Sequence, residues 1–300
     1  MNNHKEVIEN YNIIPNSISY FSKDTILSVF KDMCRLRAFE KMLIEVIKKQ
    51  GSNMISRVHL STGQETVGIA LAHTFPKETY FITHRCTELF ISLGTPLELI
   101  RDEILCLDTG VSKGKAGSLF SYVDENIKVH SHTGFIGEQI PIATGYALGC
   151  NKKTICITGD GGAEEDYALQ AYGFAATHKL PILFICNDNN LSIESEVKTR
   201  RTWSLTDLAS SFGMKAVDTT DDPFSLMKIF SELDNDLPAF INVRVNREYC
   251  HSGIERTRDP KWNRFLIVKE QVIKLGYINE INEIEKNAVD EMRTLWRKYL

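Results

Sequence analysis

The chain has 300 residues, 43% hydrophobic and 25% charged, with 35 Lys+Arg against 39 Asp+Glu and a formal net charge of −4. These are the proportions of a soluble globular chain able to bury one large core, and they exclude collagen-like, low-complexity and disordered classes. The mild acidity argues against nucleic acid or a membrane surface as a partner, because both call for a basic face.

In chain order, the opening segment MNNHKEVIENYN has no apolar stretch, so no secretory signal is expected. Across 22–50, apolar residues recur at Ile26, Leu27, Phe30, Met33, Leu36, Phe39, Leu43, Val46 and Ile47. That stripe predicts a helix with Ser22 as N-cap and Gly51 as its stop. A second helix is predicted over 64–74 and a short buried strand over 80–83. Thr95-Pro96-Leu97-Glu98 has the form of a capping box with Pro at the first helical position, opening a helix that ends before Gly110.

Residues 110–133 show no period and abound in Gly, Ser and Lys, which predicts a long loop that is either mobile or functional. Beyond it, helices are predicted within 138–148 and over 164–178, 205–212 and 223–233. Strands are predicted over 154–158, 181–186, 215–217 and 240–245. The tail beyond 248 begins irregularly and closes with a helix near 279–299. Apolar strands alternating with amphipathic helices predict an α/β fold, a parallel sheet covered by helices on both faces. The predicted division is a principal domain over 1–250 and a C-terminal loop and helical tail, 251–300, packed on it.

Seven cysteines are scattered through the chain without a CxxC, and several lie inside apolar runs such as TICIT and ILFIC. That distribution predicts buried thiols in a reducing compartment, here the cytoplasm, and no zinc site. The longest apolar run, 180–186, is too short to span a bilayer.

Two loops carry the chemistry. Gly159-Asp160-Gly161-Gly162 leaves the strand 154–158 and enters a helix; Asn187-Asp188-Asn189-Asn190 leaves the strand 181–186. One helix separates them, so they are successive βα units whose loops emerge at the same carboxyl edge of a parallel sheet. Neighbouring strands lie about 4.8 Å apart, close enough for both loops to meet one ion. Asp carboxylate and Asn amide oxygens suit Mg²⁺, which completes its shell with water and phosphate oxygens. The glycines and the following helix N-terminus suit a phosphate. Together they predict a Mg²⁺–diphosphate site.

GDG followed some thirty residues later by NN resembles the thiamine-diphosphate-binding motif. The segments HLSTGQETVGIAL, FITHRCTELFISLG, GKAGSLF, TGFIGEQIPIATGYALG, GDGGAEEDYALQAYGFAATHKLPILFICNDNN and NREYCHS resemble, in order and spacing, the α subunit of the thiamine-dependent 2-oxo acid dehydrogenases. The resemblance runs from about residue 20 to 250 and implies a transketolase-like thiamine-diphosphate fold. It implies Asp160, Asn189 and the Leu191 carbonyl as metal ligands. Gly159, Gly161, Gly162, His84 and Arg85 would hold the diphosphate, with Arg85 the natural bidentate partner. Gly134, Ile136 and Gln139 would line the aminopyrimidine side. His59, His132 and His251 are the catalytic candidates, since imidazole titrates near neutrality.

Several positions depart from the family pattern. Thr87, Phe120 and Tyr249 stand where histidines are usual, and His84 stands in place of a tyrosine; His130 and His132 could supply replacement imidazoles. The helix start Glu164-Glu165-Asp166 is also more acidic than usual. The resemblance further implies a β subunit that carries the pyrimidine-binding domain and the activating glutamate in an α₂β₂ heterotetramer. The expected reaction is decarboxylation of a small 2-oxo acid with transfer of the acyl group, with a lipoyl-bearing acyltransferase as a further possible partner. The lost histidines and the sequence DNNLSIES keep open an alternative, a split carboligase resembling transketolase that passes an activated aldehyde to a sugar-type carbonyl.

Overall fold

The computed structural model describes residues 17–50, 58–256 and 261–300; the expected stop at Gly51 lies outside them. The apolar stripe forms α1 (Lys23–Gln50), and the Ser22 hydroxyl accepts from the Thr25 N–H 3.2 Å away, as an N-cap should. There follow α2 (Thr66–Thr74), β1 (Thr79–Ile82), α3 (Thr87–Leu93) and α4 (Leu97–Ile104). The expected capping box does not form. Pro96 is itself the N-cap, without a side-chain bond, and the Thr95 hydroxyl is buried without a partner.

The segment expected to be one long loop carries two strands, β2 (Tyr122–Val123) and β3 (Lys128–Ser131). Its preceding part is pinned by the buried Glu103 carboxylate, which accepts the backbone N–H groups of Ser112, Gly114, Ala116 and Gly117. A polar segment is thereby ordered through a side chain, a device with no hydrophobic period. The remaining elements are α5 (Gln139–Cys150), β4 (Thr154–Gly159), α6 (Asp166–Thr177), β5 (Ile182–Asp188), β6 (Leu191–Ser192), β7 (Ser195–Glu196), α7 (Val197–Arg200), α8 (Leu205–Ser211), β8 (Lys215–Thr220), α9 (Pro223–Leu233), β9 (Ala239–Arg244), α10 (Arg264–Lys274) and α11 (Ile278–Trp296). Sequence periodicity missed α3, the short α7 and α10.

The main sheet has the order β2-β3-β1-β4-β5-β9-β8, parallel throughout except for the β2–β3 pair. Alternation along each strand splits the core in two. Ile155, Ile157, Leu183, Ile185, Ile241 and Val243 face one layer, under α1, α2, α3, α9 and α11. Cys156, Ile182, Phe184, Cys186 and Phe240 face the other, under α5, α6 and α8. Burial on both faces explains why these strands read as continuous apolar runs.

The C-terminal helices close the first layer. Trp296 packs edge-on to Phe39, with ring centroids 5.2 Å apart, and Arg35 grips Glu291 with two hydrogen bonds. Arg264 and Trp262 both donate to the buried Asp221 carboxylate. No helix among the described residues is long and apolar enough to cross a membrane.

Candidate active site

Because β1, β4, β5 and β9 are parallel neighbours, the segments that follow them emerge at one edge. The β4–β5 register sets Gly159 opposite Asn187, so Asp160 and Asn189 each follow the end of an adjacent strand. They share a cavity of about 270 Å³ whose wall also includes His84, Arg85, Gly134, Ile136, Gly159, Gly161, Gly162, Leu191 and His251. Three expected residues lie elsewhere. Gln139 turns away, its Nε2 donating to the Ile157 carbonyl at 3.0 Å. His59 lines a smaller neighbouring cavity, and His132 stands behind the wall, 3.3 Å from His84 Nδ1 and accepting from the Gly134 N–H at 3.1 Å.

The Asp160 carboxylate is 1% exposed. Burial, reinforced by Asp188, raises its pKa to about 6, while Arg200 opposes the shift by bonding to it. Arg200 and Arg201 also pair with Glu164, and Arg201 donates to the Asp160 carbonyl at 3.1 Å. Glu164 of the acidic helix start is thus matched by two arginines 36 and 37 positions on, a compensation that local sequence does not reveal.

Across the loop, Asn189 Oδ1 accepts from the Leu191 N–H at 3.0 Å and its Nδ2 donates to Gln64 Oε1 at 2.7 Å. These two bonds fix the orientation of the amide. Asp188 is committed instead to Asn190 N–H and Asn242 Nδ2, and Asn190 is exposed, so Asn189 is the member of NDNN offered to the cavity. Buried Asn187 adds an Oδ1 without a partner on the same wall.

The glycines allow close backbone approach. A Cβ on Gly161 would fall 2.4 Å from Ser192 Oγ, and one on Gly162 would fall 2.7 Å from Thr158 Oγ1 and 2.9 Å from the Gly137 nitrogen. Only hydrogen fits at either position.

Arg85 is 5% exposed; Nη1 donates to the Leu60 carbonyl at 2.7 Å and Nη2 to that of His251 at 2.8 Å. It therefore ties the turn before α2 to the loop after β9, with further N–H donors beyond these two. Around it the imidazoles converge. The His59 and His84 rings are 4.3 Å apart, His59 and His251 5.3 Å, and His84 and His132 5.5 Å, with His84 Nδ1 3.3 Å from His132 Nε2. Burial, aided by His59 and Arg85, holds His84 well below the ordinary imidazole range, and burial also lowers His132. His130 lies against Phe81 and is not on the cavity wall.

The positions that lost the family histidines are structural. Phe120 is buried and stacked on Phe90 at 4.3 Å, Tyr249 packs half-buried against the core, and Thr87 opens α3 with its N–H on Ser61 Oγ. The smaller cavity, about 10 Å³, lies among His59, His84, Glu40, Phe39, Phe90 and Phe120, room for about one water molecule. Glu40 accepts from the Ser61 and Thr62 N–H groups and the Thr62 hydroxyl, and burial raises its carboxyl to about 7.

Sequence reasoning missed Gln64, Asn187, Ser192 and Arg247 on the larger cavity wall. Arg247 is buried and donates to the Ile193 carbonyl and to Glu194, both at 2.8 Å. Gln64 and Arg247 stand inside HLSTGQETVGIAL and NREYCHS, so the signal was present but unassigned.

Residues 31–232 match the family model described as dehydrogenase E1 component. The chain is 30% identical over 280 residues to the pyruvate dehydrogenase E1 component subunit alpha of Rickettsia bellii, covering 88% of this chain and 82% of that protein. Against the Rickettsia conorii protein of the same name, identity is 28% over 307 residues, covering 90% and 91%. The mitochondrial subunit alpha of Dictyostelium discoideum is 32% identical over 190 residues; that match spans 61% of this chain and about half, 49%, of the relative.

Proposed function

The chain belongs to the dehydrogenase E1 component family, and from that premise we propose that it is the α subunit of a thiamine-diphosphate- and Mg²⁺-dependent enzyme. That enzyme decarboxylates a small 2-oxo acid and transfers the acyl group. The observation that carries the proposal is the pairing of buried Asp160 with Asn189 on one cavity wall, at the ends of adjacent parallel strands.

The donor set fits the cation. Asp160, Asn189 and the Leu191 carbonyl offer hard oxygens, and the unpartnered Asn187 Oδ1 adds polar surface beside them. The diphosphate would lie against Gly159, Gly161 and Gly162, the last two too crowded for a side chain, with His84 and Arg85 facing it. Gly134 and Ile136 would line the aminopyrimidine side. When bound, the cofactor supplies the electron sink for decarboxylation. The residues of this chain orient it, exclude water and move protons. His59 and His251 border the two cavities, and we assign them, with His132 acting through His84, to proton transfer and acceptor handling. His84 stays neutral through burial, able to donate a hydrogen bond without adding charge.

A β subunit completing the site in an α₂β₂ assembly, with the pyrimidine-binding domain and activating glutamate, suits this architecture. Phe135, Ile136, Ile142, Leu148 and Phe174 are exposed on the 134–137 turn, α5 and α6, as a surface awaiting a partner would be. Seven free cysteines, four of them buried, suit a reducing cytoplasm. A lipoyl-bearing acyltransferase is the acceptor we favour. Neither the fold nor these relatives favour the sugar-type carboligase.

The test is coexpression with the β partner and assay of 2-oxo acid decarboxylation with a dye acceptor. The Asp160→Ala complex should lose affinity for thiamine diphosphate by about 5- to 150-fold, the cost of leaving a charged partner unpaired. Unchanged, Mg²⁺-independent binding would refute the site.

A further inference from the structure

We infer that His59, His84 and His251 form a second metal site, selective for a divalent transition ion such as Zn²⁺ and distinct in chemistry from the oxygen-lined Mg²⁺ site. One ring nitrogen from each of the three lies within 4.8 Å of the others. Tetrahedral Zn–N bonds of about 2.0–2.1 Å place ligand nitrogens about 3.4 Å apart. The cage therefore closes with ring shifts of about an ångström, well within side-chain reach.

The scaffold is suited to holding such an ion. Each histidine sits on a different loop of the carboxyl edge: before α2, after β1 and after β9. Outer partners orient two of the rings, as they do for metal-ligating histidines generally. Ser118 Oγ is 3.2 Å from His59 Nδ1, and Thr83 Oγ1 is 3.2 Å from His84 Nδ1. The backbone of His251 is anchored by the Arg85 guanidinium. Three imidazoles without a carboxylate or thiolate suit Zn²⁺, Co²⁺ or Ni²⁺ and leave a coordination position open, whereas Mg²⁺ prefers oxygen.

Location gives the ion a consequence. His84 and Thr83 line both cavities, His59 the smaller and His251 the larger. A metal held by the three rings stands at the junction and ties up the imidazoles assigned above to proton transfer. Zn²⁺ is thus a reversible inhibitor that a chelator releases. The inhibition rests on the function proposed above; the binding does not.

The experiment uses the tag-free αβ complex saturated with Mg²⁺ and thiamine diphosphate. It is titrated with Co²⁺ by visible absorption and with Zn²⁺ by calorimetry, and cofactor binding is measured separately. The expected result is one ion per α chain with a tetrahedral Co²⁺ spectrum. His59→Gln and His251→Gln should each weaken binding at least tenfold while keeping the wild-type melting temperature. Absence of that spectrum in the wild-type complex, or Zn²⁺ binding unchanged in His59→Gln/His84→Gln/His251→Gln, overturns the site. Failure of thiamine diphosphate to bind would instead strike the proposed function and leave the Co²⁺ result standing.

Discussion

Asn189 and Gln64, 125 positions apart, share a 2.7 Å hydrogen bond that ties the loop after β5 to the turn before α2. The donor is the Asn189 amide nitrogen, so the bond decides which way the amide faces and leaves its oxygen toward the Leu191 N–H, 3.0 Å away. On the proposed function, metal affinity would therefore depend on a residue that does not itself touch the metal.

Gln64→Ala should weaken Mg²⁺-dependent cofactor binding by roughly 2- to 13-fold, the worth of one net hydrogen bond of about 0.5–1.5 kcal/mol. Calorimetry at fixed cofactor and varied Mg²⁺ measures it. An unchanged dissociation constant would show that Asn189 is oriented by the Leu191 N–H alone.

Gly161 has ordinary helical-region dihedrals, so its need is for space and not for backbone freedom. In Gly161→Ala the new methyl meets the Ser192 side chain, Oγ at 2.4 Å and Cβ at 2.7 Å. Overpacking of this kind costs about 1–3 kcal/mol, and cofactor affinity should fall with stability. Gly161→Ala/Ser192→Gly should recover both; a double variant no better than the single would mean that the phosphate, not Ser192, demands the glycine.

Glu40 supplies a pH signature. Burial raises its carboxyl from 4.5 to about 7, so between those values the folded chain keeps a proton that the unfolded chain releases. Its contribution to stability is complete below about pH 4.5 and declines as pH rises toward 7, by up to about 1.4 kcal/mol per unit. The advantage of wild type over Glu40→Gln should shrink across that window and level off above it. Urea unfolding at pH 5, 6, 7 and 8 is decisive, and a pH-independent difference would contradict the assignment.

Trp296 is fully buried at the end of α11, against Phe39 of α1. Trp296→Ala should cost about 3–5 kcal/mol, read as a lowered denaturation midpoint. Cofactor affinity of the folded variant should stay within about twofold, since Trp296 lies on the wall of neither cavity and changes without shared partners add independently.

The amino-acid pattern alone was enough for the architecture and for the meeting of Asp160 with Asn189 on one wall. Continuous apolar runs such as 182–186 belong where both faces of a strand are covered, and alternation with helices favours right-handed crossovers. Once the predicted strands 154–158 and 181–186 are successive and parallel, Asp160 and Asn189 must emerge at one edge. That deduction is local, which is why it needed no coordinates. The six quoted segments likewise carried the family.

Only the folded chain decided what depends on distant side chains. Periodicity cannot say that β9 inserts between β5 and β8, and it is this strand order that delivers Arg247 and His251 to the cavity. Nor does it show Arg200 and Arg201 answering Glu164 and Asp160, Gln64 orienting Asn189, or Glu103 ordering a segment that looked like a free loop. A hydrophobic period records which face is buried, whereas a polar contact is specific to its partners and leaves no repeat in either segment that makes it.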